Sequence, residues 1–328
     1  MTCLAGCGDD VVHRASTASS TAPPTTTAGA PKPVEYGLVA GRGPLDRLAE
    51  SGLAAAERRF GVRGRVVHGD PATALASLAA ERPRLVIAVG RAMAPAVDAV
   101  AARFPDTNFA IVDVSQQALA RRPPNVEGIV FKDEEGAFLA GYLAGLVTRQ
   151  ESGPVQTIGA VGGKRLPAIQ RAISAYRAGA RVANRRVEVA IAYSQTFTDP
   201  AKCKELALAQ IANGSAVEFA PARACGLGTL EAARERNVWA IASGYDASGL
   251  GPFVLGSSVK KADVAVLEVM RSVEEGRFAT GQDVVFDVAS GGVGLGRFSA
   301  RAPAEVVTRS KALEQRLAAP RDGARPLP

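Results

Sequence analysis

The segment from Phe131 to Leu146 constrains the fold of this chain more than any other stretch. Its sequence is FKDEEGAFLAGYLAGL, in which three acidic residues precede a run of glycine and alanine at close helical spacing. Acidic side chains are stabilising at the positive end of a helix dipole, so they mark a helix start. Small residues on one helix face allow another backbone to approach closely. The segment therefore predicts a tightly packed scaffold helix and not a site of chemistry.

Short apolar runs alternate with helical segments along the rest of the chain, which indicates parallel sheets built from strand–helix–strand units. The strands predicted in the first half are 34–39, 65–68, 85–89 and 109–112. Those predicted in the second half are 157–161, 187–192, 217–220 and 238–242, followed by a hairpin of 284–288 with 294–298. The pattern predicts two lobes, each an α/β unit with a doubly wound, mainly parallel sheet.

Several sequence blocks carry a resemblance to a known family. Besides FKDEEGAFLAGYLAGL, they are VIAVGRAMAPAVDAVAARFPDTNFAIVD (86–113), VGGKRLPAI (161–169), TFTDPAKCKELALAQ (196–210), CGLGTLEAA (225–233) and SSVKKADVAV (257–266). Together they resemble the basic membrane protein family, the purine-nucleoside-binding lipoproteins that serve ABC importers. The resemblance implies a two-lobe periplasmic-binding-protein-like fold with a hinge between the lobes. It also implies a small-molecule solute and an ABC transporter permease as partners.

The resemblance further implies that the chain passes between the lobes more than once. We therefore expect the first lobe to contain residues 34–128 and 249–280, and the second to contain 129–248 and 281–300. Residues 301–328 are expected to form a C-terminal helix, over 303–318, and a tail. Ligands of open parallel sheets bind beyond the carboxyl ends of the strands, so the solute is expected between those two edges.

The N-terminal segment carries a predicted membrane anchor. Leu4-Ala5-Gly6-Cys7 matches the bacterial lipobox, in which the cysteine is lipidated, and residues 14–34 are mostly Ala, Ser, Thr and Pro. Such a composition buries too little apolar surface to fold, so residues 1–33 are interpreted as a lipobox remnant and a disordered linker. The stretch before Cys7 is too short for a signal peptide, which favours a start further upstream. We expect a cell-envelope lipoprotein that faces the periplasm or cell exterior; a chance LAGC in a cytoplasmic protein is the alternative.

Composition argues against several function classes. The net charge is +7, but the basic residues are scattered, and the densest patch, RRFGVRGR at 58–65, has one aromatic residue. A nucleic-acid groove needs basic side chains interleaved with stacking platforms, so no nucleic-acid partner is predicted. The four cysteines form no CxxC motif or Cys/His cluster, and neither a metal nor another cofactor is predicted.

An enzyme is not predicted either. Gly41-Arg42-Gly43 lacks the third glycine of a dinucleotide fingerprint, and the chain has no GxSxG elbow. A sugar-sensing repressor would need an N-terminal helix-turn-helix where the Thr/Pro-rich segment stands. The leading interpretation is a solute receptor for an ABC importer, and the alternative is a ligand-sensing protein of the same fold without a transport role.

Cys203 and Cys225 both lie near the starts of predicted second-lobe helices. In an exported protein they would meet an oxidising environment. In the usual doubly wound strand order, however, the strand containing Gly159 separates their parent strands, whereas a disulfide needs Cα atoms within about 7 Å. We therefore expect two free, partly buried thiols.

Four candidate ligand contacts follow from the resemblance and from strand ends. Phe197 corresponds to the family's base-stacking aromatic residue, with a buried Phe that covers a helix end as the alternative. Lys260 corresponds to a ligand-contacting lysine, with a solvated side chain like that of its neighbour Lys261 as the alternative. Asp113 and Asp246 each follow a predicted strand, and each could instead cap a helix or a turn.

The chain departs from the family pattern in two loops. Where the family has a DxSFN motif, Leu45 replaces the Phe and Asp46 replaces the Asn. Asp46 is therefore also a candidate ligand-binding residue. Gly244 stands where the family has an Asp that grips ribose hydroxyls. One aromatic platform and one ribose acceptor are therefore missing from the expected nucleoside site.

Positive charge is predicted in their place. Residues that follow predicted strands at the carboxyl end include Arg42, Arg91, Lys164 and Arg223. With Lys260, they would bring up to five cations to one cleft, which favours anions. We therefore predict a nucleotide-like or other phosphorylated or carboxylated solute in preference to a neutral nucleoside. Solvated charges on the rim are the alternative, because Lys and Arg are seldom buried without a partner.

Overall fold

The computed structural model of the protein describes residues 35–149 and 156–319. The strands in this part of the chain are β1 (Tyr36–Val39), β2 (Gly64–Val67), β3 (Leu85–Val89), β4 (Phe109–Val112), β5 (Val126–Phe131), β6 (Gln156–Gly162), β7 (Val187–Tyr193), β8 (Ser215–Ala220), β9 (Trp239–Gly244), β10 (Val254–Lys260), β11 (Asp283–Phe286) and β12 (Val293–Leu295). The α-helices are α1 (Pro44–Phe60), α2 (Pro71–Ala80), α3 (Ala94–Ala101), α4 (Asp133–Thr148), α5 (Pro167–Ala183), α6 (Pro200–Ala212), α7 (Gly226–Glu235), α8 (Ala262–Glu274) and α9 (Ala304–Ala318). The predictions for Cys7, for the linker within 1–33 and for the tail 321–328 lie outside the described residues.

The strands form two six-stranded sheets. The first has the order β11-β5-β4-β3-β1-β2 and is parallel throughout. The second has the order β12-β10-β9-β8-β6-β7, in which only β12 runs antiparallel to its neighbour. In each sheet the chain starts near one side, moves outward and then turns back, which is the doubly wound pattern. The predicted fold class, two lobes of mainly parallel α/β structure, is confirmed.

Continuous apolar sequence explains why the central strands were easy to recognise. Every residue of β3, LVIAV, and of β4, FAIV, is buried, because helices cover both faces of the first sheet. The predicted bounds of both strands agree with the structure. The C-terminal helix α9 also forms where it was expected, with Val306 and Leu313 buried against the second sheet's core.

Strand pairing corrects the predicted organisation in two respects. The predicted first lobe includes β10, yet β10 pairs with β9 in the second sheet, whereas β5 and β11 belong to the first. The predicted hairpin is also wrong, because β11 joins β5 and β12 joins β10, so the two strands lie in different sheets. The small and polar residues of β10, VLGSSVK, concealed a strand whose serines are buried.

Within the described residues, the chain passes between the sheets three times, after β5, after β10 and after β11. These crossing segments are bonded to one another. The backbone N–H of Lys132 donates to the carbonyl of Phe286 at 2.9 Å, and that of Lys261 donates to the carbonyl of Gly292 at 2.8 Å. The Lys132 Nζ atom also lies 2.9 Å from a carboxylate oxygen of Asp287. The three crossings therefore form one hydrogen-bonded band between the sheets.

Helix α4 is the tightly packed scaffold helix that the sequence predicted. It packs against α5 so closely that a Cβ atom on Gly141 would lie 1.8 Å from the carbonyl oxygen of Tyr176. A Cβ atom on Gly179 of α5 would lie 1.9 Å from the carbonyl oxygen of Phe138. Each helix therefore needs glycine at its point of closest approach.

The prediction of two free thiols is wrong, because Cys203 and Cys225 form a disulfide with Cα atoms 5.6 Å apart. The strand order was as expected, with β6 between β7 and β8. However, the starts of α6 and α7 both lie over β6, and the two cysteines share a buried cluster with Val161 of that strand. The intervening strand lies beneath the disulfide and does not keep the cysteines apart.

Replacing Gly141 by Ala is expected to lower the free energy of unfolding by about 3 kcal/mol, because the added methyl group overlaps backbone that cannot move independently. Denaturant unfolding followed by circular dichroism measures the change. Gly249→Ala is the matched control, since a Cβ atom there meets nothing within 4 Å. Equal stability of the Gly141→Ala variant and the wild type would contradict the close helix contact.

Removing the disulfide by Cys203→Ser with Cys225→Ser is expected to lower the free energy of unfolding by about 3 kcal/mol, because a cross-link over a loop of this length restricts the unfolded chain. The sequence separation of the two cysteines is 22 residues. Thiol titration of the denatured protein without reductant should find neither thiol free. Two reactive thiols from this pair would show that the bond does not form.

Candidate functional site

Lys260, the last residue of β10, connects the two sheets at the carboxyl ends of their strands. Its Nζ atom lies 2.6 Å from a carboxylate oxygen of Asp113, which follows β4 in the first sheet. The same atom lies 2.9 Å from a carboxylate oxygen of Asp133, the first residue of α4. Burial lowers the pKa of an ammonium group, but the charges of Asp133 and Asp113 outweigh it, and the pKa of Lys260 is raised.

This ion cluster changes the predicted role of Lys260. The side chain is only 15% exposed, and two carboxylates face its single positive charge. Lys260 therefore does not add net positive charge to the cleft, contrary to the expectation of five contributing cations. Asp133 was read from the sequence only as a helix-start acid, and its part in the cluster was missed.

Three of the six described non-glycine residues with positive φ lie just beyond the carboxyl ends of strands. Asp113, Gln195 and Arg223 follow β4, β7 and β8, and all three have positive φ, at 65°, 60° and 54°. Left-handed backbone is unfavourable for residues other than glycine, and it persists where the surrounding structure enforces it, often at functional sites. These three loops are therefore candidates for a shaped binding surface.

Phe197 and Arg223 lie together on the second lobe. The ring of Phe197 packs against Gly163, where a Cβ atom would come within 2.4 Å of the ring carbons. The guanidinium carbon of Arg223 lies 5.3 Å from the ring centre, within the range of a cation–π contact. The carbonyl of Phe197 accepts a hydrogen bond from the backbone N–H of Cys225 at 3.0 Å. The disulfide thus braces the loops that carry Phe197 and Arg223.

The sequence marked Phe197 and Arg223 separately and did not indicate that they touch. It also missed Gly163, whose lack of a side chain makes room for the ring. The pair of glycines that ends in Gly163 was the only sequence signal for this close approach.

The other predicted cations stand where the strands end. Arg42 follows β1, Arg91 follows β3 and Lys164 follows β6, and all three side chains are exposed. Among the described residues, none of the three forms an ion pair with a carboxylate. Each is therefore accessible from solvent, on the side of its sheet where ligands of parallel sheets bind.

Asp46 and Asp246 serve loop structure. The two carboxylate oxygens of Asp46 accept hydrogen bonds from the backbone N–H groups of Gly41, at 2.7 Å, and Gly43, at 2.9 Å, which closes the loop before α1. Asp246 accepts from the backbone N–H of Ser248 at 2.9 Å and pairs with Arg297 at 3.0 Å. Burial raises the pKa of Asp246, but these bonds outweigh it and the pKa is lowered. Both aspartates therefore cap backbone N–H groups in loops. For Asp246, this is the alternative to ligand contact that the sequence left open.

An open groove of about 710 Å³ lies beside Lys260, and neither Phe197 nor Arg223 lines it. Its lining includes Leu48 of α1 and Asp263 of α8 on one side, and Asp246, Lys260 and Arg297 on the other. Polar and charged side chains from both lobes therefore share a space large enough for a small molecule.

Residues 35–149 and 156–319 lack two further features. No group of His, Cys, Asp and Glu side chains there is arranged to hold a metal ion. None of the helices there is both long and apolar enough to cross a membrane.

Sequence comparison identifies the family. Residues 49–319 match the model of the Bmp family, described as ABC transporter substrate-binding protein, PnrA-like. The chain is 30% identical to the ABC transporter nucleoside-binding protein BmpA of Lactococcus lactis, over 65% of this chain and 63% of that protein. It is 31% identical to basic membrane protein B of Borreliella afzelii, over 64% of this chain and 62% of that protein. The matched region thus spans less than two thirds of either relative.

Solved structures show the same fold. A solute-binding protein of an ABC transporter system from Conexibacter woesei superposes with a TM-score of 0.69 and 25% identity, over 90% of this chain and 98% of that one. A solute-binding protein of an ABC transporter system from Aeropyrum pernix gives a TM-score of 0.64 with 23% identity, over 87% of this chain and 91% of that one.

Replacing Lys260 by Met is expected to lower the free energy of unfolding at neutral pH by about 3 kcal/mol, because two partly buried carboxylates lose their cation. The raised pKa of Lys260 means that its stabilising contribution is complete below the ordinary value of 10.5 and is lost only as the pH rises through the higher folded-state value. The loss caused by Lys260→Met should shrink as the pH falls toward 4, because burial raises the pKa of Asp133 and protonation of that carboxyl removes a charge that Lys260 no longer balances.

Chemical denaturation of the wild type and the variant across this pH range provides the measurement. Lys202→Met, at an exposed position on α6, is the control and should change stability by less than about 0.5 kcal/mol. A loss for Lys260→Met that is the same at every pH would indicate lost packing and not an uncompensated pair of carboxylates.

Proposed function

Because the chain belongs to the PnrA-like Bmp family of ABC transporter substrate-binding proteins, we propose that it is an extracytoplasmic protein that delivers a small molecule to an ABC importer. Both the family and the fold are those of solute-binding proteins, which are not enzymes. In this proposal, lipidation at Cys7 holds the protein at the cell envelope. The solute enters between the two lobes and is released to the permease when the lobes open.

The solute that fits best is a nucleotide-like anion with a planar group. The observation that carries this proposal is the contact between Phe197 and Arg223 at 5.3 Å. An aromatic ring offers a stacking surface, and a guanidinium group beside it offers charge-assisted hydrogen bonds to phosphate or carboxylate. Arg42, Arg91 and Lys164 add positive charge at other strand ends, without described carboxylate partners.

The ion cluster supplies the complementary part of the site. Asp113 and Asp133 present carboxylate oxygens, which accept hydrogen bonds from hydroxyl groups such as those of a sugar. Lys260 fixes both carboxylates in place and leaves an excess of one negative charge. A solute with hydroxyl groups at one end and an anion at the other would therefore match the charges on the two lobes. The name of the Lactococcus relative, a nucleoside-binding protein, is consistent with a planar base as the middle part.

Calorimetric titration should show that adenosine 5′-monophosphate binds at least tenfold more tightly than adenosine, since one charge-assisted contact contributes about 1.5 to 3 kcal/mol. Added salt should weaken the binding of the nucleotide more than the binding of adenosine. Arg223→Gln is expected to remove most of the difference in affinity between the two ligands. Phe197→Leu is expected to weaken the binding of both. Arg236→Gln, an exposed arginine after α7, is the charge-matched control.

If adenosine bound tightly, with an affinity unchanged by Arg91→Ala, Arg223→Ala or added salt, that result would contradict the proposal of an anionic solute. It would leave the solute-receptor role intact, because a neutral nucleoside would then be the cargo. Failure of every nucleoside and nucleotide to bind would exclude the proposed solute class.

A further inference from the structure

Helix α5 carries a concentration of positive charge that the solute site does not use. Between residues 164 and 187 the chain has no Asp or Glu, whereas its basic residues there are Lys164, Arg165, Arg171, Arg177, Arg181, Arg185 and Arg186. The net charge of the entire protein is +7. This segment of 24 residues therefore has a net charge of +7, equal to the net charge of the whole protein.

The packing of α5 places these charges outward. Gly179 and Tyr176 press the inner face of the helix against α4, and Tyr176 is fully buried. Five arginines on α5 and immediately after it are exposed, and we refer to them as the α5 arginine face: Arg171, Arg177, Arg181, Arg185 and Arg186. No carboxylate among the described residues forms an ion pair with any of them.

The basic segment of the first lobe provides a contrast. There Arg65 pairs with Glu81, and the backbone N–H of Gly64 donates to Glu57 at 2.8 Å. Acidic side chains thus stand among the arginines of RRFGVRGR. The α5 arginine face lacks such compensation, so its potential extends further into solvent.

We propose that the α5 arginine face binds the surface of an anionic lipid membrane. A row of exposed cations is attracted to acidic headgroups, each charge near the surface adds to the attraction, and no shaped pocket is needed. A helix of 17 residues is about 25 Å long, enough to meet several headgroups at once. The proposal does not depend on the identity of the solute.

The composition of the face favours lipid over a protein partner. Protein interfaces gain most of their binding energy from buried aromatic and other apolar anchors surrounded by a polar rim. Within α5, the one large apolar side chain that is exposed is Val182, at 64%. A single valine among five arginines provides little apolar surface for a protein interface. Such a surface is compatible with binding to a layer of charged headgroups, into which the valine side chain can insert.

The direction of α5 keeps the solute site clear of the membrane. The helix begins after the carboxyl end of β6 and runs back to the start of β7, so its last turn lies at the sheet edge opposite the strand ends. Glu134 shares a surface pocket with Arg171 near the beginning of the helix. At the far end, the exposed Glu188 is the next acidic residue in sequence, and among the described residues it forms no ion pair with Arg177, Arg181, Arg185 or Arg186.

Co-sedimentation with lipid vesicles tests the proposal on the full chain carrying Cys7→Ser, so that no acyl anchor contributes. The protein should bind vesicles of phosphatidylcholine mixed with phosphatidylglycerol, and should bind pure phosphatidylcholine weakly. Added salt should release it. Replacing four arginines by Gln should weaken binding at least tenfold, given the attraction expected for each charge. These four are Arg177, Arg181, Arg185 and Arg186.

Two further proteins make the result specific. Lys at the same four positions keeps the charge and should retain most of the binding. A control with the same loss of charge replaces four exposed arginines elsewhere by Gln, namely Arg58, Arg82, Arg122 and Arg236. This control should bind the vesicles as the parent protein does. Thermal unfolding confirms that each protein is folded.

The proposal would be overturned by the absence of salt-sensitive binding to the anionic vesicles, by an equal loss in the control, or by full binding of the variant that lacks the four arginines. Binding to vesicles only when they contain the reconstituted permease would also overturn it, and would assign the face to a protein partner. None of these variants touches the candidate solute site, so calorimetric titration of the solute distinguishes a failure here from a failure of the proposed function.

Discussion

A single ammonium group, that of Lys260, links the two sheets at the edge where a solute is expected. Its partners come from different parts of the fold, since Asp113 follows a strand of the first sheet and Asp133 starts the helix that supports the second. A buried ion pair contributes less to net stability than its Coulomb attraction suggests, because both charges lose water. Its geometric effect is larger: the three groups hold a strand end, a strained loop and a helix start in one arrangement.

The two lobes bring different chemistry to the candidate site. Around Lys260 the carboxylates outnumber the cation. On the second lobe Phe197 presents an aromatic ring, and Arg223 presents a guanidinium group that pairs with no carboxylate of the described residues. The second surface is stabilised from behind, where the disulfide joins the start of α6 to the turn that contains Cys225. A solute that contacts both surfaces needs hydroxyl groups for the carboxylates and an anionic group for Arg223. This requirement is the basis of the proposed nucleotide-like class.

Much of the fold could be read from the sequence, because burial on both faces gives parallel strands continuous apolar runs, as in β3 and β4. The glycine pattern of α4 likewise encodes its contact with α5. Strand β10 was missed because Ser257 and Ser258 are buried polar residues in a strand. The disulfide was missed because strand order does not specify where the connecting helices begin. The contacts of Lys260 with Asp133, and of Phe197 with Arg223, join residues distant in sequence, and local patterns carry no information about them.

The three crossings also determine when each lobe can be completed during synthesis. By the time Phe131 has left the ribosome, five strands of the first sheet exist, but β11 and the covering helix α8 have not been made. The nascent chain must therefore keep one side of β5 unpaired while the whole second lobe up to Lys260 is translated. An unpaired edge strand is prone to associate with other chains. Any factor that holds this chain unfolded until translation ends would protect that edge during the interval.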